Sequence, residues 1–167
     1  MQVNLWIGTG FALYKIKENL LTKITYYNVI VKNISLERGA KKMNSEIKTK
    51  EAPAAIGPYS QGIIAGEFAF VSGQIPVNPK TGCVESDNIE GQAKQSLENV
   101  KAVLEEAGFK LSDVVKTTCF IADMNDFATF NKVYSEYFNG MCPARSCVAV
   151  KELPKQVLCE VEVIAHK

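Results

Sequence analysis

The sequence predicts an α+β layer fold, with two helices packed on one face of a single β-sheet. Three observations carry it. Two stretches of the chain repeat apolar residues at helical spacing, Ala93 to Ala107 and Phe127 to Phe138. Several short runs are rich in β-branched and aromatic residues and are bounded by turn formers. Along residues 43–167 these elements follow one another as β-β-α-β-α-β-β. Two helices of modest length cover one face of a sheet only. The other face still holds apolar side chains, so self-association through it is expected.

Residues 43–57 are polar and then turn-forming, and lead into Gly57-Pro58-Tyr59. Runs at 62–65 and 68–72, joined at Gly66-Glu67, predict a hairpin. Asn78-Pro79-Lys80-Thr81-Gly82 is a turn, because proline presets φ and glycine accepts a positive one. Asp87 is the expected N-cap of the first helix, with Glu90 as its capping-box partner. Ala93, Leu97, Val100, Leu104 and Ala107 form its apolar stripe, and Gly108 stops it. Residues 114–122 are β-branched and apolar on both faces, which predicts a central strand. Asp123 or Asn125 is expected to cap the second helix. Phe127, Phe130, Tyr134, Tyr137 and Phe138 line one side of it, and Gly140 ends it. Strands at 145–150 and 157–165 follow, separated by Leu153-Pro154-Lys155.

Composition narrows the function classes. Of 167 residues, 47% are hydrophobic and 22% charged, as in an ordinary globule. A net charge of +1 excludes a strongly basic nucleic-acid binder at the level of the whole chain. No run approaches the roughly 18 apolar residues of a membrane span. The single histidine, His166, excludes His-rich metal sites and leaves little room for a His-dependent triad. Five cysteines, Cys83, Cys119, Cys142, Cys147 and Cys159, are odd in number and form no C-x-x-C pair. They indicate a reduced, cytoplasmic protein in which each cysteine is a small buried hydrophobe.

The charge is unevenly spread. Residues 1–42 carry seven Lys and Arg against two Glu, whereas residues 43–167 are mildly acidic at −4. The first segment fits neither a mitochondrial presequence nor a secretory signal. Its Ile, Lys, Asn and Tyr have AT-rich codons, and Glu37-Arg38-Gly39-Ala40-Lys41-Lys42 can be written by a purine-rich ribosome-binding site. We therefore expect Met43 to be the true start, residues 1–42 to be a leader without a settled fold, and 43–167 to be the functional domain.

No phosphate-binding loop of the G-x-x-x-x-G-K-[ST] or G-x-G-x-x-G type is present. The polar residues at strand ends are the candidates for chemistry. Arg145 follows Pro143-Ala144 and opens a strand; its planar fork suits a carboxylate ligand or a surface salt bridge. Glu160 and Glu162 share one face of the last strand, while Cys159, Val161 and Val163 point the other way. A glutamate there can hold or deprotonate a water, or simply face solvent. Tyr59 reads as a packing aromatic or a site residue, and Ser72-Gly73-Gln74 as a plain turn or a site edge.

Several motifs are similar to those of one family. Residues 52–61, Ala-Pro-Ala-Ala-Ile-Gly-Pro-Tyr-Ser-Gln, resemble the opening signature of the Rid (YjgF-type) family of reactive-intermediate deaminases. Ser72-Gly73-Gln74-Ile75-Pro76, Gln95-Ser96-Leu97-Glu98-Asn99-Val100, Pro143-Ala144-Arg145-Ser146 and Cys159-Glu160-Val161-Glu162 resemble its further hallmarks. The resemblance covers about residues 51–165. It implies a chorismate-mutase-like fold on a mixed sheet, a homotrimer with a central barrel, and sites in the clefts between subunits. It also implies hydrolysis of 2-imino or enamine acids to 2-oxo acids and ammonia, without metal or cofactor.

In that reading Arg145 clamps the substrate carboxylate and Glu160 orients the attacking water. The backbone at Cys147 meets the imine nitrogen. Tyr59, Ser72, Gly73 and Asn131 line the cleft, and Phe127 supplies an apolar wall. The stretch before Pro143 is short, and it bears on substrate size. Two rival readings remain. One is a non-catalytic binding or chaperone-like trimer. The other is an endoribonuclease or translation inhibitor, against which the acidic body and the missing basic patch both count.

Overall fold

The computed structural model describes residues 44–167, together with Leu5–Ile7 and Gly10–Ala12. Those two short segments, β1 (Leu5–Ile7) and β2 (Gly10–Ala12), pair antiparallel as a ribbon in a first unit that ends at Lys41. The expected start at Met43, and the character expected of the rest of residues 1–42, lie outside the described residues.

In the second unit six strands form one sheet among the described residues, in the order β3-β4-β5-β8-β6-β7. They are β3 (Ser45–Ile47), β4 (Gly62–Ala65), β5 (Phe68–Gln74), β6 (Val114–Ile121), β7 (Ala144–Ala149) and β8 (Cys159–His166). All neighbours are antiparallel except β6 and β7, which run parallel because a helix crosses between them. The sheet is therefore mixed, and the two described helices make it an α+β layer fold, as expected. The sequence predicts five strands here. The sixth, β3, is three residues long and buries only Ile47, so it carries no readable alternation.

The first helix, α1 (Ile89–Glu106), starts later than expected. Its N-cap is Asn88, whose Oδ1 accepts the Gly91 N–H at 3.0 Å. Asp87 does not cap it, and Glu90 pairs instead with Lys94 one turn on, at 3.2 Å. The helix closes as expected at Gly108, which holds φ +75°. There the Phe109 N–H reaches the Leu104 carbonyl and the Gly108 N–H reaches that of Glu105.

Asp123 caps a short 3-10 turn through Asn125 N–H at 2.8 Å, not the second helix itself. That helix, α2 (Phe127–Tyr137), ends at Phe138, whose N–H bonds the Tyr134 carbonyl, before Gly140 is reached. Gly140 has no positive φ, so it is not the terminator.

Both helices lie on one sheet face. Leu97, Val100, Leu104 and Phe130 pack there against Cys119, Ile121, Cys159 and Val161, all fully buried. Strand β6 is interior to the sheet, as expected, but it alternates rather than being buried on both faces, because helices cover one face only. The other face carries Phe68, Phe70 and Val148 at 41%, 44% and 46% exposure, which is the uncovered apolar surface anticipated from the sequence. No helix among the described residues is long and apolar enough to cross a membrane.

Candidate active site

Strand β7 sets the first group of residues. Its register places Arg145 beside Thr117 and Cys147 beside Cys119, on the helix-covered side. The Arg145 guanidinium lies 4.5 Å from the Tyr134 ring centre and 5.7 Å from that of Phe127. Tyr134 is itself held by a 2.9 Å hydrogen bond between its hydroxyl and that of Thr117. The ion pairs among the described residues join Lys94 to Glu90, Lys101 to Glu98 and His166 to Glu67, so Arg145 takes part in none of them. Among the described residues this arginine makes no surface salt bridge. It is a cation held over aromatic faces, and no side chain among the described residues hydrogen-bonds its guanidinium edge. Asn131 stands one turn beyond Phe127 on α2 and is exposed. The half-buried Cys147 thiol is pushed up by burial, an effect that Arg145 partly opposes.

Strands β5 and β8 set the second group. The β5–β8 register shifts between Val71 and Gln74, and Ser72 and Gly73 occupy that irregularity. Ser72 Oγ donates to the Ser60 carbonyl at 2.7 Å, and Ser72 N–H donates to the Gln61 carbonyl at 3.0 Å. Gln61 is buried. Its side-chain amide donates to the carbonyls of Thr49, Ala52 and Pro53 and accepts from Thr49 N–H. This clamp ties the irregular segment leading to Tyr59 onto the hairpin. Tyr59, Gly73, Ile75 and Lys155 are among the residues lining a cavity of about 280 Å³.

The Glu160 side chain lies over Gly73, close enough that a Cβ on Gly73 would stand 2.7 Å from Glu160 Cδ. Burial raises the Glu160 carboxyl above its ordinary value, and the neighbouring Glu162 charge adds to it. Glu160 is therefore not a plainly solvated strand residue. A second hollow, of about 310 Å³, opens on the same sheet face beside Ser72, Phe70, Lys116, Thr118 and Glu162.

The structure thus brings Arg145, Phe127 and Cys147 together at one place and Tyr59, Gly73 and Glu160 at another; Asn131 lies one helical turn from Phe127, and Ser72, next to Gly73, lines the second hollow. The two groups do not face each other within one chain. Glu160 pairs with Phe120 while Arg145 pairs with Thr117, three positions along β6, so their side chains leave opposite faces of the sheet.

The sequence reading missed three supporting residues: Tyr134, Gln61 and Asn99. Asn99 is buried on α1. It donates to the Ile75 and Val77 carbonyls at 3.0 Å each and accepts from Gln95 at 2.9 Å, fixing the wall of the Tyr59 cavity. A polar amide beside the apolar stripe of α1 was the available signal. The cysteine expectation also needs correction. Cys119 and Cys159 are buried, with burial pushing both thiols up to about 12, but Cys83 and Cys142 are exposed because they sit in irregular stretches outside the helices and strands.

Residues 49–167 match a family model described as Endoribonuclease L-PSP. The 2-iminobutanoate/2-iminopropanoate deaminase of Salmonella typhimurium is 56% identical over 126 residues, covering 74% of this chain and 98% of that protein. A RutC family protein of Pyrococcus horikoshii is 54% identical over 125 residues, covering 75% of this chain and 99% of that protein. Among solved structures, E. coli TdcF with bound serine is 49% identical, with a TM-score of 0.72 over 74% of this chain and 98% of that one.

Proposed function

The chain belongs to the endoribonuclease L-PSP family, the Rid family of the sequence resemblance, and from that membership we propose that it hydrolyses 2-imino and enamine acids to 2-oxo acids and ammonia. The observation that supports this reading is Arg145: a guanidinium stacked on Tyr134, without an acidic partner among the described residues, whose planar fork suits a ligand carboxylate. Arg145 holds the substrate carboxylate in bidentate fashion. Glu160 accepts a proton from a water, whose oxygen attacks the C=N carbon. The C=N electron pair moves to nitrogen, and Glu160 returns the proton there. Loss of ammonia from the resulting carbinolamine leaves the 2-oxo acid. The Cys147 backbone holds the imine nitrogen. Tyr59, Ser72, Gly73 and Asn131 line the cleft, and Phe127 closes it with an apolar wall. Imines hydrolyse in water unaided, so positioning supplies most of what is needed.

This reading requires more than one copy of the chain. Arg145 and Glu160 leave opposite sheet faces, so a site containing both forms between subunits. A homotrimer that packs the uncovered face inward satisfies this and removes Phe68, Phe70 and Val148 from water. The reduced cysteines suit a cytoplasmic setting. Binding without turnover is a second reading, favoured by the serine bound to TdcF. An RNA substrate is less suited to residues 43–167, which carry a charge of −4.

The test couples the purified chain to a pyridoxal-phosphate-dependent threonine dehydratase and follows 2-oxo acid release. Acceleration by the wild type, lost about tenfold or more in Arg145→Ala, is expected. No acceleration by the folded oligomer overturns the deaminase reading.

A further inference from the structure

The turn into β8 is built at a cost that its backbone role alone does not explain. Lys155 and Gln156 both hold φ +57°, and neither is glycine. Side chains rarely adopt this conformation, and two in succession are rarer still. The turn is nonetheless firmly held. Leu153 and Val157 are buried on either side of it, and Gln156 N–H bonds the Leu153 carbonyl at 3.0 Å. Glycine or asparagine would satisfy such a backbone with less strain. A lysine at the first strained position is thus not what the turn itself favours.

What the lysine does follows from where it sits. Lys155 lines the cavity that holds Tyr59 and Gly73, and Glu160 lies over that same Gly73. Among the described residues it is the one cation lining this cavity, and it joins no ion pair with any of them. The rest of the lining is largely apolar, including Pro53, Ile56, Ile75 and Val77. The carboxylate of Glu160 over Gly73, with Glu162 two residues on along the same strand face, repels an anionic ligand here. An ammonium at the cavity offsets that field and draws carboxylates in.

We propose that Lys155 is a substrate-positioning residue, whose ammonium attracts small 2-imino and 2-oxo monocarboxylates into the Tyr59–Gly73 cavity beside Glu160. This rests on the 2-imino acid reading above. It assigns Lys155 a role in affinity and approach, not in the bond-making step.

The test uses the full chain and two readouts. Calorimetry with 2-oxobutanoate measures binding without turnover, and the dehydratase-coupled assay separates KM from kcat. Lys155→Gln removes the charge and keeps most of the bulk. It is expected to weaken binding and raise KM about three- to tenfold, with kcat changed less than about twofold. Its kcat/KM should depend less on salt than that of the wild type. Lys155→Arg should restore affinity. Lys155→Gly removes strain and charge together; it should melt no lower than the wild type yet bind as weakly as Lys155→Gln. Unchanged binding in Lys155→Gln, or wild-type binding in Lys155→Gly, overturns the proposal. Charge-dependent binding without turnover keeps the Lys155 role and removes the deaminase reading. Turnover with binding indifferent to Lys155 does the reverse, and a wild type that neither binds nor turns over removes both.

Discussion

The carboxylate of Glu160 rests against the Cα of Gly73, in space that any β-carbon at that position would fill. The contact joins the β5 irregularity to the middle of the sheet, and it explains why a residue without a side chain stands there. The obstructing atoms belong to a flexible side chain, and Gly73 has no positive φ, so the backbone itself tolerates a larger residue. In Gly73→Ala the glutamate therefore swings aside while the fold persists. We expect a fall of about 10- to 100-fold in kcat with a melting temperature close to that of the wild type. Coupled kinetics and a thermal melt on the same preparation check this; a fully active Gly73→Ala would detach Glu160's placement from catalysis.

Glu160 also predicts a pH effect on stability. Burial and Glu162 raise its carboxyl in the folded state above its ordinary value of 4.5. The folded chain then binds more protons than the unfolded chain between those two values. Stability therefore falls as pH rises through that window, and above it the ionised Glu160 is a standing penalty. Glu160→Gln removes the penalty. It should melt higher than the wild type at neutral pH, and the gap should close as the pH drops through the window. Melts at one fixed protein concentration across the range decide it. A difference that is constant with pH would place the effect in packing, not ionisation.

Much of this was legible in the sequence, and the exceptions share a cause. The hairpin, both helices and the common face of Glu160 and Glu162 follow from local periodicity, and they stand where the pattern puts them. The three-residue β3 has no period to read. The shift from Asp87 to Asn88 as N-cap turns on which of two adjacent polar residues meets Gly91 N–H. The opposite facing of Arg145 and Glu160 depends on two non-local registers, β6 with β7 and β6 with β8, which no local pattern encodes. The left-handed Lys155 was hidden because lysine does not advertise that conformation.

Cysteine reactivity separates the five thiols by burial. Cys119 and Cys159 are pushed up to about 12, so almost no thiolate is present at neutral pH, and both are shielded from solvent. Cys83 and Cys142 are exposed, and Cys147 is half buried with its thiol also raised. Brief iodoacetamide treatment of the native chain should label Cys83 and Cys142, Cys147 more slowly, and Cys119 and Cys159 only after unfolding. Peptide mass mapping reads each site. Early labelling of Cys159 would mean that β8 opens readily from α1.

The opposite facing of Arg145 and Glu160 makes the intersubunit reading testable without a structure of the assembly. Arg145→Ala and Glu160→Gln should each be nearly inactive alone, since each spoils one half of every site. Co-refolded in equal amounts, they form mixed oligomers. Some clefts then receive Arg145 from one subunit and Glu160 from its neighbour, both intact. If each cleft draws its halves at random from two subunits, about a quarter are restored, which sets the expected activity relative to wild type. If both residues came from one subunit, mixing would restore nothing. The coupled assay on the mixture, beside each variant refolded alone, separates the two arrangements.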